Sequence, residues 1–304
     1  MNRFYKQRGI ALAIVLWMLA LLSIMATGYS RMMRNESTLT ANLINSTQAN
    51  ALAEAGITEA IAELLKPTNE QIWKTDGTTY DLFINNSEIR IQIRAENGKI
   101  DLNTARSELL LGLFQSVSVP EEEQIPLVQA ILDWRDKDNL TRTDGAEDDD
   151  YINAGKSYEA KDGPFNSLNE LLLVKGMTPT LFKKIKPALT IYSHSTNIYM
   201  RSASREVLLA IPSVEKTTIE TYLTDRNSIK DSNQSPPLIG VDSKYISNTR
   251  GTTFSIISEA TVNNATSRIE TVISTRRYNN YPYSILAWQT SPLIKENEQE
   301  IEES

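Results

Sequence analysis

The stretch of sequence best equipped for chemistry is an acidic run from Asp133 to Asp150. It reads DWRDKDNLTRTDGAEDDD and holds eight acids against three bases, a net charge of −5. Carboxylates gathered this closely repel one another unless water or a cation offsets their charge. Calcium prefers six to eight oxygen ligands, many of them carboxylates. The run therefore predicts either a calcium-binding loop or a solvated acidic loop.

The spacing of the acids resembles an EF-hand loop only in part. Asp136 and Asp138 stand two residues apart, and Glu147 follows Asp136 by eleven residues, which matches the first and twelfth loop positions. Leu140 and Thr141 occupy the fifth and sixth positions, where that loop needs a ligand and a glycine. A calcium loop of another design is therefore the prediction.

Other chemistries find little support in the composition. The 304 residues include no cysteine and a single histidine, His194, which excludes thiolate sites and multi-histidine metal sites. The sequence contains no G-x-S-x-G nucleophile motif with which His194 could act. A membrane-anchored hydrolase is therefore a weaker alternative, in which carboxylates of the acidic loop would do the acid–base work. The turn VKGMTP (174–179) resembles DNA-binding helix-hairpin-helix turns. However, a net charge of −7 favours a packing role over nucleic-acid binding.

The elements that must position the acidic loop begin with a membrane-length segment. Residues 1–9 carry three basic residues and no acid, and residues 10–30 carry no charge. About 20 apolar residues span a bilayer as a helix, and the flanking positive charges predict a cytoplasmic amino terminus. The alternative is a secretory signal peptide cut near residues 26–28.

The helical pattern continues past the apolar segment to Lys66, where Pro67 ends it. One helix over 10–66 would be about 85 Å long at 1.5 Å per residue. A membrane anchor alone would not need the second half. We therefore expect its outer stripe to pack on a folded domain. The stripe recurs every four residues at Leu39, Leu43, Thr47, Ala51 and Ala55, and continues nearby at Ile57, Ile61 and Leu65.

The remaining sequence alternates between strand and helix patterns. Residues 79–95 predict a β-hairpin that turns at 85–87, and 253–276 predict a second hairpin around Asn263-Asn264. Residues 284–289 predict an edge strand, and the tail after Ile294 is acidic. Helical patterns fill the interval between the hairpins. The predicted fold is α+β: an N-terminal helix over 10–66, a sheet module formed by 67–99 and 246–304, and an inserted helical domain over 100–245.

The amino terminus resembles the precursors of type IV pilin-like proteins, in which Arg8-Gly9 precedes a hydrophobic run. The resemblance implies that a prepilin peptidase cuts after Gly9, removes the leader 1–9 and methylates Ile10. Most such proteins have glutamate at the fifth mature position, which here is Ile14. A subunit without that intramembrane charge suits an end position in a filament.

Several motifs in order sharpen the resemblance: GKIDLNTA, ILDWRDKDNLTR, GAED, DGPF (162–165) and SLNELLLVKGMTPTLF. Together they resemble the general secretion pathway protein K family, the large minor pseudopilins of type II secretion. The resemblance implies a pilin-like fold, no enzymatic activity, and calcium in the acidic loop 133–151. Carried onto this chain, it nominates as ligands Asp136, Asp138, Glu147, Asp148 and Asp150.

The same resemblance predicts partners and location. It implies a complex with two other minor pseudopilins at the tip of the pseudopilus, processing by the prepilin peptidase, and no nucleic-acid partner. Contact with secreted substrates stays open. It places a single-pass protein in the inner membrane, with its bulk in the periplasm. A DNA-uptake pilin-like protein is a further alternative, which the acidic charge disfavours.

Overall fold

The computed structural model describes residues 10–84, 87–229 and 240–293. Its helices are α1 to α7 in chain order: Ile10–Leu65, Ser107–Ser116, Glu121–Arg135, Asp148–Asn153, Pro179–Ile185, Arg205–Leu209 and Lys216–Ser228. Its strands are β1 to β9: Asp76–Ile84, Ser87–Ala95, Ile100–Asp101, Leu189–Thr190, Ile198–Tyr199, Ile246–Ser247, Thr253–Val262, Ala265–Ser274 and Ser284–Leu293.

The helix α1 is continuous for 56 residues, as the sequence predicts. Within the described residues, it is the one helix long and apolar enough to cross a membrane by length and composition. Its side chains from residue 11 to 44 are exposed all round, whereas its second half has one buried face. The basic leader 1–9, including Gly9, lies outside the described residues.

The buried face of α1 confirms the predicted stripe only at Ile57 and Ile61, since Leu65 is 40% exposed and the earlier positions face solvent. Leu39 and Leu43 are exposed, as are Thr47, Ala51 and Ala55. The face on the sheet is formed by Ala49, Ala53, Ile57, Ala60, Ile61 and Leu64. An exact four-residue repeat drifts around a helix of 3.6 residues per turn, and spacings of three and four together keep one face on the sheet.

The sheet has five antiparallel strands in the order β1-β2-β7-β8-β9. Both predicted hairpins and the predicted edge strand are present in it. The turn residues 85 and 86 and the acidic tail lie outside the described residues. On the α1 side, alternate residues of β2 and β7 are fully buried, as the two-residue period of a strand requires.

The long interval between β2 and β7 has a core of its own. The two ladders in it are short and parallel, β3 with β4 and β5 with β6. Because Ile246 pairs with Ile198, the sheet module resumes at Thr253 rather than at 246. The core of this inserted region includes Leu109, Leu113, Phe114, Ile131, Trp134, Tyr151, Phe165, Leu208 and Ile219.

The VKGMTP turn packs inside this region. Gly176 adopts a left-handed φ of +84°, and the backbone N–H of Lys175 donates to the Tyr151 hydroxyl at 3.2 Å. The Lys175 ammonium pairs with Asp150 at 2.8 Å. These contacts support the packing role that the sequence favours for this turn.

Candidate metal centre

The acidic loop leaves the end of α3 from a buried carboxylate, Asp133, which is 0% exposed. Its oxygens accept the backbone N–H of Ala146 at 2.9 Å and the Arg142 guanidinium at 2.6 Å. The loop returns so closely to Asp133 that a Cβ on Gly145 would collide with its carboxylate. Asp133 therefore sets the shape of the loop, a role that sequence reasoning did not assign to it.

Arg142 bridges the two acids at the end of α3. Its guanidinium also donates to Asp136 Oδ2, and the hydrogen bonds that it donates to Asp133 and Asp136 raise the Arg142 pKa. The other oxygen of Asp136, Oδ1, is buried and has no hydrogen-bond partner among the described residues. Asp136 therefore retains one oxygen free to bind a cation.

Three carboxylates converge beside this pair: Glu147, Asp148 and Asp162, with one oxygen of each within 4.8 Å of the others. Glu147 is 3% exposed, and neither of its carboxylate oxygens has a hydrogen-bond partner among the described residues. Asp162 Oδ1 is also buried and unpartnered within the described part of the chain. Unpaired buried carboxylate oxygens are costly unless a proton or a cation compensates their charge.

The electrostatics of the cluster agree with its geometry. Burial first, and then the charges of Asp133 and Asp136, raise the pKa of Glu147 to about 7. Burial and the neighbouring charge of Asp148 raise the pKa of Asp162 above its ordinary value. Each acid therefore makes it harder for its neighbours to ionise in the protein without a cation.

Asp148 is held in place by the chain that closes the site. Its Oδ1 accepts the backbone N–H of Ala160 at 3.1 Å, and its Oδ2 accepts the Asn139 side-chain amide at 2.6 Å. Beneath it, Trp134 stacks on Phe165 with ring centroids 6.4 Å apart. This aromatic contact brings the DGPF segment, and with it Asp162, to the end of α3.

The structure groups the nominated ligands unevenly. Glu147 and Asp148 belong to the cluster. The charge of Asp136 acts on Glu147 and Asp162 from beside it. Exposed Asp138 accepts the backbone N–H of Leu140 at 3.1 Å. Asp150 turns away: besides Lys175, it binds the backbone N–H of Glu147 at 3.2 Å. The hydrogen bond from Lys175 lowers the pKa of Asp150. Its carboxylate is engaged in fixing the start of α4.

Asp162 is the cluster residue that the sequence analysis did not nominate. It lies in the DGPF motif, outside the acidic run, and has a left-handed φ of +52°. An aspartate followed by glycine in a tight turn was the available signal. The all-oxygen donor set, with buried unpartnered carboxylates, fits a hard divalent cation such as calcium.

A long N-terminal helix packed on an antiparallel sheet is a pilin-like fold, and in this chain a helical region with an acidic loop interrupts the sheet. One solved chain has this fold, from the crystal structure of the GspK-GspI-GspJ complex of the enterotoxigenic Escherichia coli type 2 secretion system. The TM-score is 0.57 at 18% identity, over 85% of this chain and 99% of that chain.

Sequence comparisons agree with the structural match. Residues 89–194 match the family model of type II secretion system protein K. The type II secretion system protein K of Klebsiella pneumoniae is 28% identical over 68% of this chain and 70% of its own length. The Pseudomonas aeruginosa protein K is 24% identical over 72% of each chain. The chain is therefore similar to type II secretion system protein K in the sequence of residues 89–194 and over about two thirds of its length.

Proposed function

We propose that the chain is a structural subunit at the tip of the periplasmic pseudopilus, where it assembles with two other minor pseudopilins. The match of residues 89–194 to the protein K family carries this proposal. The solved relative, whose chain is covered almost completely, comes from a complex with GspI and GspJ. Its relatives are named as secretion-system components, which supports an assembling rather than a catalytic role.

The shape of α1 supports the membrane part of the proposal. Its uncharged segment 10–30, exposed over 11–30, has the length and composition of a bilayer span, and the later part of the helix carries the sheet. The basic residues before it favour a cytoplasmic amino terminus, which puts the sheet and the inserted region in the periplasm. The Arg8-Gly9 junction supports cleavage after Gly9 and methylation of Ile10 by the prepilin peptidase.

The acidic loop would bind calcium through Glu147, Asp148, Asp162 and the free oxygen of Asp136, with Asp138 at the exposed side. A bound cation would neutralise the charge of these carboxylates. Asp133 and Arg142 hold the loop in position, and Trp134 and Phe165 hold the DGPF segment against it. Calcium in this proposal is structural, because it would join three separated segments of the inserted region.

Secretion in the host tests the proposed function. We expect removal of the gene to leave type II substrates in the periplasm, and the parent chain supplied in trans to restore their release. A variant with the change Phe114→Asp, which introduces a charge into the core of the inserted region, serves as the negative control, since Phe114 is 1% exposed. Unchanged secretion after gene removal would contradict the proposal.

A further inference from the structure

The strand β9 forms one edge of the five-stranded sheet and is unusual in composition. Its ten residues, Ser284–Leu293, include no Asp, Glu, Lys or Arg, although 23% of the chain is charged. The strand at the opposite edge, β1, carries Asp76 and Asp81. Charged side chains normally protect edge strands from pairing with other proteins. This protection is missing from β9.

Apolar side chains of β9 are also open to solvent. Ile285 is 50% exposed, Leu286 is 45% exposed and Trp288 is 44% exposed. The helix α1 packs on β2, β7 and β8, so β9 lies at the margin of its cover. Burying these three side chains would release apolar surface from water, which favours association.

The backbone of β9 shows which peptide groups face the open edge. The Thr271 hydroxyl of β8 donates to the Ala287 carbonyl at 2.8 Å, so the Ala287 carbonyl points toward β8. Peptide groups alternate in direction along an antiparallel strand, so those of Trp288 and Thr290 point to the open edge. Pro292 has the same parity and pairs with Ser267 across the ladder, which suits a residue without an N–H.

We infer that β9 is a docking edge to which an extended, uncharged segment of another minor pseudopilin adds as a sixth strand. Among the described residues, no strand pairs with this side of β9, and another backbone is the partner that matches a row of N–H and C=O groups. The loop leading into β9 exposes Arg276 and Arg277. The residues that flank the uncharged segment at that end should therefore include an acid. The choice of partner rests on the proposed function.

The test uses the full chain co-expressed with the other two minor pseudopilins of its own secretion system and extracted from membranes in detergent. Thr290→Pro removes an N–H from the open edge, while Gln289→Pro removes one that faces β8. Trp288→Lys adds a protecting charge to β9, and Phe83→Lys makes a matched change at a 73% exposed site on β1.

We expect Thr290→Pro and Trp288→Lys to reduce the recovered complex by roughly tenfold or more, with melting temperatures of the isolated chain unchanged. Gln289→Pro should lower the melting temperature, and Phe83→Lys should change neither quantity. Full recovery of the complex with Thr290→Pro would overturn the docking-edge inference but leave the proposed function standing. Loss of a self-dimer rather than of the complex would also overturn it. Failure of the parent chain to form the complex would contradict the proposed partners and, with them, the docking edge.

Discussion

At the scale of single residues, the carboxylates of the acidic loop and of the DGPF segment have two different roles. Asp133 and Asp150 have cationic and backbone partners and build the loop. Glu147 and Asp162 keep buried oxygens without hydrogen-bond partners in the described part of the chain. The residues most costly to bury are thus the ones that a cation would stabilise.

The change Glu147→Gln should have opposite effects with and without calcium. In calcium-free protein we expect a higher melting temperature, because the amide removes a charge that burial and the neighbouring acids destabilise. The pKa of Glu147 is about 7 in the folded chain against an ordinary value of 4.5. The contribution of protonated Glu147 to the stability of the fold is therefore fully present below pH 4.5. That stability is lost as the pH rises through about 7, and the advantage of glutamine should therefore be larger at pH 8 than at pH 5.

The calcium shift itself should shrink in the same variant. Binding to the native state adds about 2.7 kcal/mol at a hundredfold excess over Kd, or roughly 5–10 °C in melting temperature. Differential scanning calorimetry with calcium and with chelator measures it. Asp162→Asn should also reduce the shift, whereas Asp149→Asn, at an exposed position in the first turn of α4, should leave it intact. Equal melting temperatures of the metal-free parent with calcium and with chelator would contradict calcium binding.

At the scale of elements, the contact of α1 with the sheet depends on a close approach at Gly56. A Cβ at this position would collide with the buried Ser258 hydroxyl and lie 2.8 Å from Ile89 Cγ2. Ser258 is fully buried, and Ile89 belongs to the core that α1 covers. Glycine here lets the helix sit directly on β2 and β7, and its helix-propensity cost of about 1 kcal/mol is offset by that packing.

We expect Gly56→Val to lower the stability of the detergent-solubilised chain by about 1–3 kcal/mol, since overpacking forces the helix away from the sheet. Thermal unfolding followed by circular dichroism measures the change. Ala55→Val places the same side chain on the exposed face one residue earlier, where it should cost only the small difference in helix propensity. Equal losses in the two variants would mean that the close approach does not contribute to stability.

At the scale of the whole molecule, one helix connects an apolar segment of membrane-spanning length to two packed units. The sheet binds α1 directly, and the inserted region is attached through polar contacts at the end of β2. Arg94 donates to the Ser202 carbonyl at 3.1 Å, and the Ser202 hydroxyl donates to the Thr75 carbonyl at 2.6 Å. An insertion anchored in this way can be large without disturbing the sheet on which it depends.

The maturation of the whole chain can be tested by mass. The mature protein isolated from membranes should begin at Ile10 and carry one methyl group, because the peptidase recognises the glycine before the apolar helix. Gly9→Leu should leave the full-length precursor, while Ala20→Leu within the apolar segment should be processed normally. A mature terminus near Tyr29 would instead support the signal-peptide alternative.

Local sequence patterns determined most of the long secondary-structure elements of this protein. The long helix, both hairpins and the edge strand follow from periods of 3.6 and 2 residues and from turn residues. Family motifs also led to the acidic loop and to most of its clustered acids.

Tertiary packing decided the rest. Which face of α1 is buried depends on the sheet, because the predicted stripe from Leu39 to Ala55 is apolar or small and equally compatible with either environment. Asp162 joins Glu147 through the stacking of Phe165 on Trp134, a contact between segments about 30 residues apart in sequence that no local period encodes. Asp150 lies outside the cluster because its carboxylate pairs with Lys175, which belongs to the VKGMTP turn. The composition of a loop is thus fixed by its sequence, but the division of its carboxylates between ion pairs and an unpartnered cluster is fixed by the neighbours that folding brings to it.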